Sequence, residues 1–253
     1  MSWRRIALFT GVGLFAYVLF LALTLPASLL FGYLLPPRSP ISIVASHGTP
    51  WHGEADQLVV NGSALGRLSW SVHPWTLFTG RLDYDLRLHG AMTQLTGEAV
   101  LTPGGKIVVT NLNGPFDLAT ALKWLQLPPG SATGRLRLQL DQFVFEGRTP
   151  TTLEGRVTLD HLSALWPQPM QLGGYLATFT TDDNGIHGRA RDTGGPIDLD
   201  ATIDIQKNGR YRAQGTLTPR GNADPSLKQA LQFLGRTDKG GTTRFSFGGS
   251  LAL

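Results

Sequence analysis

His47 and His52 stand five residues apart, with Glu54 two positions further on, and these three side chains are of types that bind zinc. A helical zinc motif needs two histidines four apart on one face, with a glutamate between them. Here the spacing is wrong, and Gly48, Pro50 and Gly53 make the segment a turn. No metal site is expected from it. Asp182-Asp183-Asn184-Gly185 has the carboxylates and the glycine of a calcium loop but lacks the distal glutamate, and reads as a hairpin turn. Asp198, Asp200 and Asp204 fall at even intervals, so they share one face of a strand. A solvated face is the ordinary reading, and a cation-binding acidic ladder the sharper one. Gly11-Val12-Gly13 looks like the start of a dinucleotide fingerprint, but it lies inside an apolar run with no strand before it. The absence of cysteine excludes thiol nucleophiles, thiolate metal sites and disulfides. With no nucleophile elbow or phosphate loop downstream, no catalytic residue and no cofactor is expected, and the chain does not read as an enzyme.

Contact chemistry is better represented. Trp51, Trp70, Trp75, Trp124 and Trp166 all lie beyond the first fifty residues. Trp51 sits between Pro50 and His52 in a turn-prone segment, where an exposed indole favours a protein contact or a headgroup-level position. Packing under a sheet is the competing role for each. Trp51, Trp70, Trp75, Leu231 and Phe233 are the candidate partner contacts.

These residues must be positioned relative to a membrane. Ile6 to Leu35 contains no charged side chain, and Arg4 and Arg5 precede it. About 20 apolar residues cross a bilayer core as a helix. The run therefore exceeds the need, and it is also longer than the apolar core of a cleaved signal. We expect a cytoplasmic tail over 1–5, a transmembrane anchor over 6–35 and a periplasmic β-rich domain over 36–253, with the arginines holding the N-terminus inside. Pro26 is expected to end or kink the helix. Without the two arginines the chain carries 20 Lys and Arg against 18 Asp and Glu, and no basic run, so nucleic acid is not an expected partner.

Beyond the anchor, period-two alternation dominates. Leu82, Tyr84, Leu86 and Leu88 interleave with charged residues, as do Leu136, Leu138 and Leu140, and Ile197 through Ile205. Such strands have one buried and one wet face, which antiparallel sheets tolerate. Asn61-Gly62, Pro103-Gly104-Gly105, Asp182 to Gly185 and Asn208-Gly209 mark turns. Gly97, Gly134, Gly155 and Gly215 each look like the opening of an alternating strand. Leu118, Ala121, Leu122 and Leu125 follow Asp117 at helical spacing, and Leu227, Ala230, Leu231 and Leu234 repeat it between Asp224-Pro225 and Gly235. The predicted fold class is mainly β with a single N-terminal transmembrane helix: a meandering, curled antiparallel sheet with two short covering helices.

Ordered features then point to a family. They run from Gly48-Thr49-Pro50-Trp51-His52-Gly53-Glu54-Ala55, through Leu65-Gly66-Arg67-Leu68-Ser69-Trp70-Ser71-Val72-His73-Pro74 and Gly80, to Leu227 through Arg236 and Thr243 through Gly249. In this order they resemble the type II secretion system protein N family, with Pro50 where that family usually has a hydrophobic residue. The resemblance implies a non-enzymatic accessory or scaffold component of a Gram-negative secretion machine, single-pass in the inner membrane. Its implied partners are the outer-membrane secretin, inner-membrane platform proteins and inner-membrane lipids, and it carries over no catalytic residues. A second reading starts from the one-sided apolar sheet on a single span. That arrangement also looks like AsmA-type proteins, whose groove would bind or transfer lipid.

Overall fold

The computed structural model describes residues 13, 17, 20, 24–27, 41–72, 82–101, 106–124, 131–146, 149–165, 169–221 and 223–250. The strands are β1 (Ile41–Gly48), β2 (His52–Val60), β3 (Ser63–Val72), β4 (Leu82–His89), β5 (Gln94–Leu101), β6 (Lys106–Phe116) and β7 (Ala132–Glu146). They continue with β8 (Thr149–Ala164), β9 (Met170–Asp182), β10 (Gly185–Gly194), β11 (Ile197–Gln206), β12 (Arg210–Pro219), β13 (Arg236–Thr237) and β14 (Thr243–Ser250). Two short helices interrupt them, α1 (Leu118–Trp124) and α2 (Pro225–Leu234). All strands join one open antiparallel sheet in chain order, except that β14 pairs with β12 and β13 adds outside it.

The meander follows from local chemistry. Asn61 and Gly62 both take positive φ, 49° and 69°, the pair of left-handed residues that a two-residue hairpin requires. Asp182 turns the chain between β9 and β10 by accepting hydrogen bonds from the amides of Asn184 (2.7 Å) and Gly185 (3.3 Å), which is the hairpin reading of that acidic segment. Asp117 accepts from the amides of Ala119 and Thr120 and so starts α1, and Asp224 accepts from the Ser226 amide ahead of Pro225 in α2. The glycines expected to open strands sit inside them instead. A Cβ on Gly155 would come 2.4 Å from the Gln139 carbonyl oxygen, and one on Gly215 would come 2.5 Å from that of Asp200. Close approach of the neighbouring strand selects glycine there, a requirement that alternation alone does not reveal.

Register divides the sheet into two faces. Leu112, Leu140, Gly155, Phe179, Gly188, Ile203, Ala213 and Phe247 are successive cross-strand partners from β6 to β14, a row without a polar side chain. In β3 to β14 the register-paired charged residues lie on the opposite face, with Asp192 the exception among the described residues. Both helices lie at one end of the strands. There Leu65, Leu88, Leu95 and Phe116 form one core with Ala121 of α1 packed against it. Ile197, Ala223, Leu227 and Leu231 form a second, under α2. The apolar stripes of these helices cover one end of the sheet, as their spacing predicts.

The anchor expected over 6–35 lies almost wholly outside the described residues. Among the described residues no helix is long and apolar enough to cross a membrane. Gly13, Tyr17, Phe20 and Thr24 are helical, Leu25 and Pro26 are not, and Ala27 is helical again. The break falls where Pro26 was expected to place one.

Candidate functional site

Ala27 is fully buried, and it packs with Ala55 and Trp70 on the apolar face near the first edge of the sheet. Trp70 reaches this position because it is the register partner of Gly53, and a Cβ on that glycine would come 2.6 Å from the indole. The ring therefore lies across the glycine, and its Nε1–H donates to the Thr49 carbonyl at 3.0 Å. Phe179 lies across Gly188 and Tyr211 across Gly249 in the same manner, with hypothetical Cβ contacts of 2.7 and 2.8 Å. Three cross-strand pairs thus set an aromatic ring where the partner glycine has no side chain, all on the same face.

Of the contact residues expected from sequence, Trp70 is 3% exposed and Leu231 is buried in the core under α2, while Trp51 is half-buried. Trp75 lies outside the described residues, and of the Phe233 side chain nothing is described. Trp51 and Trp70 are neighbours in structure: the Val72 amide donates to the Trp51 carbonyl at 2.7 Å, locking the turn before β2 against the end of β3. Trp124, which the alternation argument did not single out, is 38% exposed at the end of α1, with its ring centroid 5.4 Å from that of Phe116.

The polar face organises its charges in cross-strand pairs. His187 Nδ1 lies 2.7 Å from Asp204 Oδ1, its register partner, and Nε2 lies 3.0 Å from Asp182 Oδ1. Hydrogen bonds to Asp204 and then Asp182 raise the imidazole pKa above its usual value. The Asn184 amide, followed by His187, lowers that of Asp182. Arg189 donates to Asp200 at 3.0 Å, and Arg220 lies 3.9 Å from Asp198. Asp200 and Asp204 thus pair with residues of β10, and Asp198 lies near Arg220 just beyond the end of β12. Their stacked carboxylates are neutralised locally, which leaves no open acidic ladder. His47 faces Glu54 across β1 and β2 and lies 3.7 Å from Asp56, all exposed. Among the described residues no group of three or more metal-binding side chains gathers.

The His187 clip makes stability pH-dependent in a defined sense. An imidazole whose pKa is raised on folding stabilises the folded state below its unfolded value of about 6.5 and loses that contribution as pH rises through the folded value. Asp182 works in the opposite direction, since its contribution fades as pH falls below the ordinary carboxylate range. The clip is therefore strongest in mildly acidic solution. NMR titration should place the His187 midpoint above 6.5, and His187→Asn should flatten the stability difference between pH 6 and pH 9. A His187 midpoint at or below 6.5 would show the clip open in solution.

Asp192 forms the other charged node. It lies on the apolar face, where its side chain is 9% exposed. It accepts from the Leu199 amide at 3.1 Å and from Arg220 Nη2 at 2.7 Å, while Arg220 Nη1 donates to the Gly195 carbonyl. Burial works to raise the Asp192 pKa, but these donors outweigh it and hold the carboxyl below its usual range. Tyr175 beside it donates to the Leu172 carbonyl, and burial, reinforced by the Asp192 charge, pushes its phenol up to about 12. This node ties the β10–β11 hairpin to the segment that leads into α2.

The chain carries two open edges among the described residues, one at β1 and one along β14 beyond the short β13. Val44 on β1 is 47% exposed and Phe247 on β14 is 51% exposed.

Residues 39–246 match the model of the family described as type II secretion system (T2SS), protein N. Among curated proteins, the chain is 29% identical to the type II secretion system protein N of Vibrio cholerae serotype O1, over 86% of this chain and 88% of that protein. It is 27% identical to the type II secretion system protein N of Aeromonas hydrophila, over 93% and 94%. No solved structure matches.

Proposed function

Because the chain belongs to the type II secretion system protein N family, we propose that it is an accessory component of a type II secretion system, held at the inner membrane and offering a periplasmic sheet to other secretion subunits. The observation that carries this reading is the open sheet. Its terminal strands each leave a row of backbone donors and acceptors able to take a partner's strand. Phe247 stands at one such edge, and Trp124 adds an exposed ring at the end of α1. Trp51 adds a half-buried indole near the other edge, and Trp75 is a candidate contact on sequence grounds. The secretin and the platform proteins are the partners this surface would serve. The anchor would concentrate it beside them, which raises effective affinity without any new contact.

Photo-crosslinking residues placed at Val44, Trp124 and Phe247, in cells assembling the secretion machine, test the proposal. We expect adducts to the secretin or to a platform subunit from at least one edge position, and none from Thr178 in the middle of the polar face. Adducts only to unrelated envelope proteins would refute it.

A further inference from the structure

The half of the apolar face away from α1 and α2 has no described element over it. Ile107 and Phe247 there are 39% and 51% exposed, and Phe143, Phe145, Phe179 and Ile203 are half-buried. We propose that this half of the face holds the acyl chains of a membrane phospholipid. The inference goes beyond the secretion role and does not depend on it.

Three observations select a hydrocarbon chain as the occupant. The first is chemical. The face offers no register-paired charge except Asp192, which is already engaged by Arg220 and the Leu199 amide. An acyl chain has no polar group to satisfy, so it can cover this face without any partner for a charge or a hydrogen bond. The second is relief. The rings of Phe179 and Tyr211 occupy the space that the missing side chains of Gly188 and Gly249 leave, so they fill gaps in this part of the face. Side chain docking of the protein kind uses interdigitating knobs and pockets, and a flexible chain does not need them. The third is continuity. Ala27, near the end of the uncharged stretch that begins at Ile6, is seated on this face against Ala55 and Trp70. Register carries the apolar face onward through Val72, Tyr84, Ala99, Val109 and Phe143, so it runs unbroken from this first edge into the sheet.

Dimensions agree. From Leu140 to Phe247 the polar-free row crosses six inter-strand steps, about 29 Å at ~4.8 Å each. Half of a ~30 Å hydrocarbon core, about 15 Å, is the depth of one leaflet's tails. The row is long enough for tails laid along it.

The test uses the full chain in vesicles of phosphatidylethanolamine and phosphatidylglycerol, carrying a trace of phosphatidylcholine with a photoactivatable group near the tail end. After irradiation, mass spectrometry should find tail adducts on peptides containing Phe143, Phe179, Ile203 and Phe247. Phe247→Asp should cut those adducts about tenfold, since it puts a charge against the chain. Ser246→Asp, one residue away on the polar face, should leave them unchanged. If Phe247→Asp loses its β signal in circular dichroism, Ile107→Asp on the opposite flank repeats the comparison. Adducts confined to residues 6–35, adducts indifferent to the apolar-face charge, or capture of a second copy of this chain through that row in place of lipid would each overturn the proposal.

Discussion

Replacing Trp70 by alanine will lower the unfolding free energy by about 3–5 kcal/mol, the range for truncating a buried large aromatic. The side chain is 3% exposed, lies across Gly53 and donates its indole hydrogen to the Thr49 carbonyl, so no part of it is idle. At about 2–4 °C per kcal/mol for a domain of this size, the melting temperature should drop by roughly 10 °C. Trp70→Phe keeps much of the packing and loses the hydrogen bond, which should cost about 1 kcal/mol for that bond plus a small packing loss. Urea unfolding of the full chain, followed by circular dichroism, measures both. A loss below about 1 kcal/mol for the alanine variant would mean that the indole is not packed in this way. The same truncation removes the seat of Ala27, so protease sensitivity near that residue should rise in parallel.

Arg220→Leu should cost about 3 kcal/mol, near the lower limit for breaking a buried ion pair, because Arg220 is 40% exposed while its partner Asp192 is only 9% exposed. The damage lies on the carboxylate, which would keep its charge in an apolar setting with only backbone amides to satisfy it. The pH dependence has a definite sign. With its pKa lowered on folding, Asp192 stabilises the native sheet above its unfolded value near 3.9, and that contribution is lost as pH falls through the folded value. Without Arg220, burial dominates and the carboxyl pKa rises, so acid unfolding should begin at higher pH. Asp192→Asn combined with Arg220→Leu should recover part of the loss, as expected of two residues that act as a unit. Strict additivity of the two single changes would count against the node.

Much of the architecture was legible because it is local. Alternation at Leu82 to Leu88 and at Ile197 to Ile205 delivers β4 and β11 over the expected residues, and Asp117 and Asp224 start α1 and α2 where their spacing places them. The features that escaped depend on neighbours distant in sequence. Gly155 and Gly215 resemble strand openers until the adjacent strand shows why no Cβ fits. Asp192 looks like one more charge in an alternating strand. Its register with Tyr175 puts it on the apolar side with Gly188 and Ala190, and only the position of Arg220 reveals how it is paired there. The tryptophans show the same limit. Composition marks Trp51 and Trp70 equally, and pairing with Gly53 is what takes the second indole inside.

The order of the strands has a further consequence. From β1 to β12 each new strand pairs with the one made just before it, so nothing must wait for a distant segment to arrive. Such a chain can add strands to its own growing edge as it is made, one hairpin at a time, with short loop closures throughout. It also means that a hairpin can be gained or lost from the middle without breaking a closed ring, because no seam exists to be matched. Relatives of different length should therefore differ by whole strand pairs, and the width of the sheet, more than its chemistry, should be the quantity that varies between secretion systems.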